Sequence, residues 1–132
     1  MKELTTEASI AKLDEVIDFI DAFLEEHECP MKIITQINVA AEEIFVNIAH
    51  YSGSEKATTT ITESDGMAEI TFTDSGRPYN PLEKPDPDIT LPAEERDIGG
   101  LGVYIVKKTM DSVSYNHRDG CNIFTMRKRI TA

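Results

Sequence analysis

The sequence is short of positive charge, of cysteine and of long apolar runs, and each shortage narrows what the chain can do. Lysine and arginine total 13 against 24 aspartates and glutamates, a formal net charge of -11. Nonspecific binding of DNA or RNA rests on basic side chains neutralising phosphates, so direct nucleic-acid binding is not expected. The acidity reads first as solubility and is neutral toward a basic protein partner. Only two cysteines are present, Cys29 and Cys121, and neither belongs to a CxxC. Two free thiols in a reducing cytoplasm are expected, and the scattered Cys and His residues give no four-ligand zinc pattern. No apolar run approaches the roughly 20 residues that cross a bilayer, so no membrane association is expected. The start, Met1-Lys2-Glu3-Leu4-Thr5-Thr6-Glu7, has no basic n-region followed by an apolar h-region, which argues against a secretory signal.

What is there suits one globular domain over residues 1–132, with 40% hydrophobic residues and a mean hydropathy of -0.29. Residues 1–8 are Thr-rich and read as an edge strand. From about Ser9, Ile10, Leu13, Val16, Ile17, Ile20, Phe23 and Leu24 recur at helical steps, with acidic residues opposite. Pro30 ends that helix and opens a second one, from about Met31 to Tyr51, whose apolar face runs from Ile33 to Ile48. Strand patterns at 57–62 and 67–73 flank the turn signal Asp65-Gly66, and those at 113–116 and 121–130 flank Asp119-Gly120. Between them lie a proline-punctuated acidic stretch, 79–98, and a helix from about Gly102 to Asp111. Met31, Met67, Met110 and Met126 read as core packing. The order β-α-α-β-β-loop-α-β-β predicts an α+β fold: a two-layer sandwich of one mixed, mostly antiparallel sheet with helices on one face.

Three short motifs carry the chemistry. Glu43 and Asn47 lie four apart on the second helix and point the same way. A carboxylate there can act as a general base, and an amide oxygen one turn on can complete an octahedral magnesium shell. A surface Glu–Asn hydrogen bond is the plainer alternative. Glu42, the competing acid, faces elsewhere. Asp74-Ser75-Gly76-Arg77-Pro78 follows a strand. Its carboxylate can accept from an exocyclic amine such as that of adenine, and Gly76 allows the backbone close to a flat ring, although Asp-Ser-Gly is also a common turn. Gly99-Gly100-Leu101-Gly102 opens a helix, where free N–H groups favour anions. It is neither a P-loop nor a dinucleotide fingerprint. Arg96 suits a terminal phosphate or, equally, an ion pair with Glu94 or Asp97.

Taken in order, these segments resemble the N, G1 and G2 boxes of the GHKL (Bergerat-fold) ATP-binding superfamily. Ala40-Ala41-Glu42-Glu43 leading to Asn47, then Asp74 to Pro81, then Glu95-Arg96 before Gly-Leu-Gly, Met110-Asp111 and the last Asp-Gly hairpin are most similar to small bacterial anti-sigma factor serine/threonine kinases. The resemblance covers essentially the whole chain. It implies that Glu43 is the catalytic base, that Asn47 ligates magnesium, and that Asp74 binds the adenine amine with Gly76 beside the base. It implies further that Gly100, Leu101 and Gly102 lie at the phosphates, that 79–98 forms an ATP lid, and that Arg96 approaches the γ-phosphate. The implied cofactors are ATP and magnesium. The implied partners are a sigma factor or similar regulator and a small antagonist protein, with a possible homodimer. Where the family often has a His eight residues after the Glu, this chain has Tyr51 with His50 before it, and His50 receives no role. Two alternatives remain open, a non-catalytic ATP-dependent binding module and a detached histidine-kinase-like catalytic domain. A structural domain that binds no nucleotide would need all three motifs to coincide.

Overall fold

The computed structural model of the chain describes residues 1–83 and 101–131. Its elements are β1 (Lys2–Glu7), α1 (Leu13–Glu26), α2 (Met31–Tyr51), β2 (Lys56–Ser64), β3 (Met67–Asp74), α3 (Leu101–Thr109), β4 (Ser112–Arg118) and β5 (Cys121–Arg129). A single 3-10 turn, Ile10–Lys12, precedes α1 where the sequence suggested helix from Ser9, and Ile10 is 46% exposed rather than part of the core stripe.

The five strands form one sheet in the order β1-β2-β3-β5-β4, and all four pairings are antiparallel. The sheet is therefore not mixed. After β3 the chain passes through α3 to the far edge as β4, and β5 returns between β4 and β3. Both hairpin turns carry two consecutive residues with positive φ, Asp65-Gly66 and Asp119-Gly120, the backbone that two-residue hairpins require.

One face of the sheet is apolar. Ala57, Ile61, Ala68, Ile70, Phe72, Phe124 and Met126 alternate along their strands and are all buried. Val16, Ile20, Phe23 and Leu24 of α1 and Ile34, Ile37, Ala40, Ala41, Ile44, Phe45 and Ile48 of α2 close over that face. Val106 of α3 and Met110, just after its end, join the same core. Met110 and Met126 pack as expected, but Met31 is 70% exposed on the first turn of α2. The opposite face carries Thr58, Thr60, Thr71, Thr73 and Thr125 in the outward phase. No helix among the described residues is long and apolar enough to cross a membrane.

The end of α1 is a Schellman motif. Cys29 N–H donates to the Leu24 carbonyl and Glu28 N–H to the Glu25 carbonyl, with Glu28 in the left-handed region at φ 55. This turn reverses the chain so that α2, the element bearing Glu43 and Asn47, lies across the sheet.

Candidate functional site

The C-terminal half of α2 and the last residues of β3 meet because the loop after β3 docks on the helix end. Arg77 N–H donates to the Ser52 carbonyl at 2.8 Å, and Arg77 Nε donates to the Tyr51 carbonyl at 2.9 Å. Both bonds satisfy carbonyls that a helix C-terminus leaves without partners. Glycine at 76 is enforced by this docking, since a Cβ there would lie 2.1 Å from the Ser52 oxygen. The close approach expected for Gly76 is to a flat ring; the one that the structure shows is a different one, to the Ser52 backbone at the end of α2.

Asp74 is 4% exposed. Its Oδ1 accepts from Gly76 N–H at 2.9 Å and from Asn122 Nδ2 at 3.0 Å. Among the described residues nothing donates to Oδ2. Asn122 lies directly opposite Asp74 in the β3–β5 register and is itself buried. Its second N–H reaches the Arg77 carbonyl at 2.8 Å. Its Oδ1 accepts from Tyr79 N–H at 3.1 Å and from the Tyr115 hydroxyl. All four hydrogen-bonding positions of the amide are used, so it is locked, and it holds the Asp74 carboxylate in turn.

Sequence reasoning missed Asn122. The available signal was its phase: in Asn122, Phe124 and Met126 the first residue is polar on a strand face that is otherwise apolar, and a buried polar residue is the informative exception.

Asp74 and Asn122 border a narrow, largely apolar cavity of about 20 Å³, lined also by Ile44, Asn47, Phe72, Tyr79, Pro81 and Phe124. Tyr79 stacks on Tyr51 at 5.1 Å between ring centroids. Asn47, 7% exposed, reaches this cavity from α2. Its Nδ2 donates to Glu43 Oε1 at 3.2 Å, which turns the amide oxygen away from Glu43 and leaves it as an acceptor.

Glu43 is half-buried and Glu42 exposed, and Glu42, expected to face elsewhere, borders the same depression as Glu43. The Glu43 carboxylate rests on the first turn of α3, so close that a Cβ at Gly102 would lie 2.2 Å from its Cδ. Glu43 and Gly102 line a second depression of about 300 Å³ between α2 and α3, with Val39, Glu42, Val46 and Ile105. Asn47 therefore faces one cleft and Glu43 the next, one helical turn apart.

The structure brings together Glu43, Asn47, Asp74, Gly76 and Gly102. Leu101 begins α3. Arg96 and Gly100, together with most of the 79–98 segment, lie outside the described residues.

A family model for the histidine kinase-like ATPase domain matches residues 6–128. No curated protein matches the sequence. Among solved structures, the RsbU and RsbW domains of Rv1364c from Mycobacterium tuberculosis align over 100% of this chain and 33% of that one, at 16% identity and a TM-score of 0.65. The chain thus spans about a third of that protein's length. The SiaB-SiaC complex from Pseudomonas aeruginosa aligns over 97% of this chain and 89% of its own, at 14% identity and a TM-score of 0.63. The catalytic domain of histidine kinase ThkA aligns over 99% and 97%, at 18% identity and a TM-score of 0.54. Identities this low show a shared fold and nothing finer.

Proposed function

Since the chain belongs to the histidine kinase-like ATPase domain family, we propose that it is an ATP-binding anti-sigma regulatory factor with serine/threonine kinase activity. It phosphorylates a small antagonist protein and binds a sigma factor or similar regulator. The fold is that of the GHKL superfamily, an α+β sandwich. One observation carries the kinase reading: Glu43 and Asn47 are hydrogen-bonded to each other, yet line two adjacent clefts.

The residues fit a magnesium nucleotide. Asp74 Oδ2 is the carboxylate oxygen left to accept from an adenine amine, and Phe72, Phe124 and Ile44 supply apolar walls for a flat ring. At about 20 Å³ the cavity has room for about one water molecule, so its walls must part for a purine to enter. The Asn47 amide oxygen suits a hard cation. A magnesium ion held by Asn47 would take further oxygen ligands from the nucleotide's phosphates and from water, as this ion commonly does. Bound at this site, Mg-ATP supplies an activated phosphoryl group whose charge the metal offsets.

The chain's own part in the reaction is small and positional. Glu43 accepts the proton of a serine or threonine hydroxyl as that oxygen bonds to the γ-phosphorus, while the bond to the bridging oxygen breaks and ADP departs. Gly102 offers its backbone N–H to the phosphates at the start of α3, after Leu101, while Gly100 and Arg96, which the resemblance gives to the phosphates, lie outside the described residues. The similarity to the RsbW-containing protein and to the SiaB-SiaC complex supports a protein partner. A homodimer working in the cytoplasm belongs to the same proposal.

The test is transfer of labelled γ-phosphate from ATP and magnesium to antagonist domains encoded near this chain's gene. Serine or threonine labelling that disappears in Glu43→Ala, with ATP affinity retained, is the expected result. ATP binding without transfer to any candidate would replace the kinase by a nucleotide-dependent binding module.

A further inference from the structure

We infer that the free edge of β1 docks an extended segment of another protein as an added antiparallel strand, and that it selects a segment with lysine or arginine at two positions four residues apart. The inference needs neither the nucleotide nor Glu43.

β1 ends the sheet, and among the described residues no strand pairs with its outer side. The register with β2 tells which backbone groups face outward. Ala8 N–H donates to the Glu55 carbonyl, and in the same register Thr6 stands against Ala57 and Leu4 against Thr59, so the even-numbered residues exchange the ladder bonds. The N–H and C=O groups of Glu3, Thr5 and Glu7 therefore point away from the sheet in one row. Such a row templates a further strand unless it is blunted. β1 holds no proline, and its pairing with β2 runs unbroken from Lys2 to Glu7, so no bulge twists the edge away. What remains is charge.

The side chains of Glu3, Thr5 and Glu7 are exposed and stand on the sheet face away from the helices, since Thr6 is buried and Leu4 packs against the core. Along the edge they read acid, hydroxyl, acid. A second copy is disfavoured there: two-fold pairing centred on Thr5 sets Glu3 against Glu7 twice. A partner strand with Lys or Arg opposite both glutamates and threonine or valine opposite Thr5 matches the row. The cations nearby are engaged or set back. Lys2, on the helix side, pairs with Glu26 at 3.1 Å, and Lys12 lies 3.9 Å from Glu15. Lys56 stands behind Glu7 in the register and Thr60 behind Glu3, which makes Glu3 the stronger anchor. On the helix side the added strand runs beside α1, where Glu15, Phe19, Ala22 and Glu26 share one face. Glu26 meets Lys2, and Glu15 borders a depression with Thr5, Thr6 and Glu7. Phe19, half-buried between those contacts, favours an aliphatic residue on that side of the partner.

The test titrates the isotope-labelled full chain with the synthetic peptide Thr-Lys-Ile-Thr-Val-Lys-Thr and follows backbone amides by NMR. Saturable shifts at the Glu3, Thr5 and Glu7 amides are expected. N-methylation of the second, fourth and sixth peptide residues, whose amides would bond to β1, should abolish them. N-methylation of the third and fifth, whose amides point away, should leave most of the binding. Glu3→Lys combined with Glu7→Lys should weaken binding about 10-fold at unchanged melting, and should favour a peptide with Glu in place of both lysines. Thr5→Pro removes one outward N–H and no ladder bond to β2, so it should fold and lose the peptide. The methylated pair decides the matter without altering the chain. No saturable shift at β1, equal binding of the two methylated peptides, or binding indifferent to reversal of Glu3 and Glu7 overturns the inference. So does a fall in the chain's own mass in solution on Thr5→Pro, which would give the edge to a second copy.

Discussion

Gly102→Ala separates catalysis from folding at a single atom. A Cβ at residue 102 would lie 2.2, 2.3 and 2.4 Å from Cδ, Oε2 and Oε1 of Glu43. Contacts this short cannot persist. The obstructing group is the end of a flexible, half-buried side chain, so the carboxylate yields and the backbone of α3 stays. It must retreat by about 1 Å or more, and a misplacement of that size costs roughly 100-fold in rate where a base has to meet a hydroxyl. Alanine is the better helix former, which near a helix end gains about 0.5 kcal/mol, or roughly 1–3 °C in Tm. The backbone N–H of residue 102 is retained, so ATP affinity should change little. The assay is single-turnover transfer of labelled γ-phosphate to the acceptor that the wild type phosphorylates, beside thermal melting of both proteins. A slow enzyme with unchanged or raised Tm is expected. Transfer at the wild-type rate would refute the role given to the Glu43 position. A large fall in Tm would show that α3 moves instead of the side chain.

Two further substitutions probe the frame around the site. Burial, partly offset by the Asn38 hydrogen bond and reinforced by nearby Glu25 and Asp18, raises the Asp21 carboxyl above its ordinary value of 3.8. The folded chain then holds a proton at Asp21 that the unfolded chain has released, so this site's contribution to stability falls as pH rises from 3.8 to the folded value and stays low above it. Asp21→Asn should therefore stabilise at pH 7, by about 0.5–1 kcal/mol if its new N–H reaches the buried, unpartnered Asn38 Oδ1, and lose the advantage below pH 3.8. Urea melts across that range would show an equal difference at every pH if the idea is wrong. Glu28, at φ 55, occupies a position where glycine is free of strain. Glu28→Gly should raise stability by about 0.5–1 kcal/mol, and a lower Tm would contradict the Schellman assignment.

Much of the frame was readable because its signals are local. Asp65-Gly66 and Asp119-Gly120 announce hairpins through the positive φ they tolerate, and Pro30 and Ser52-Gly53 bracket α2 at its observed ends. Glu43 and Asn47 sharing a face followed from helical spacing alone. The strand order did not follow, because pairing of β3 with β5 is a contact between residues distant in the chain and periodicity carries no record of it. For the same reason the partner of Asp74 went unseen: Asn122 reaches it only through that register. The end of α2 against Gly76 was equally hidden, since a glycine's reason depends on what packs against it.

The central claim is that Asp74 and its neighbours form a nucleotide site, and Asp74→Asn tests it most directly. The substitution keeps the Oδ1 acceptor used by Gly76 and Asn122, so the surrounding network survives, and it replaces only Oδ2 by a donor. An exocyclic amine would then face an N–H group, a loss of about 2–3 kcal/mol. Calorimetric titration with ATP and magnesium should show binding by the wild type and roughly 30- to 100-fold weaker binding by Asp74→Asn at unchanged Tm. Absence of binding by the folded wild type, or equal affinity in the two proteins, would contradict the account.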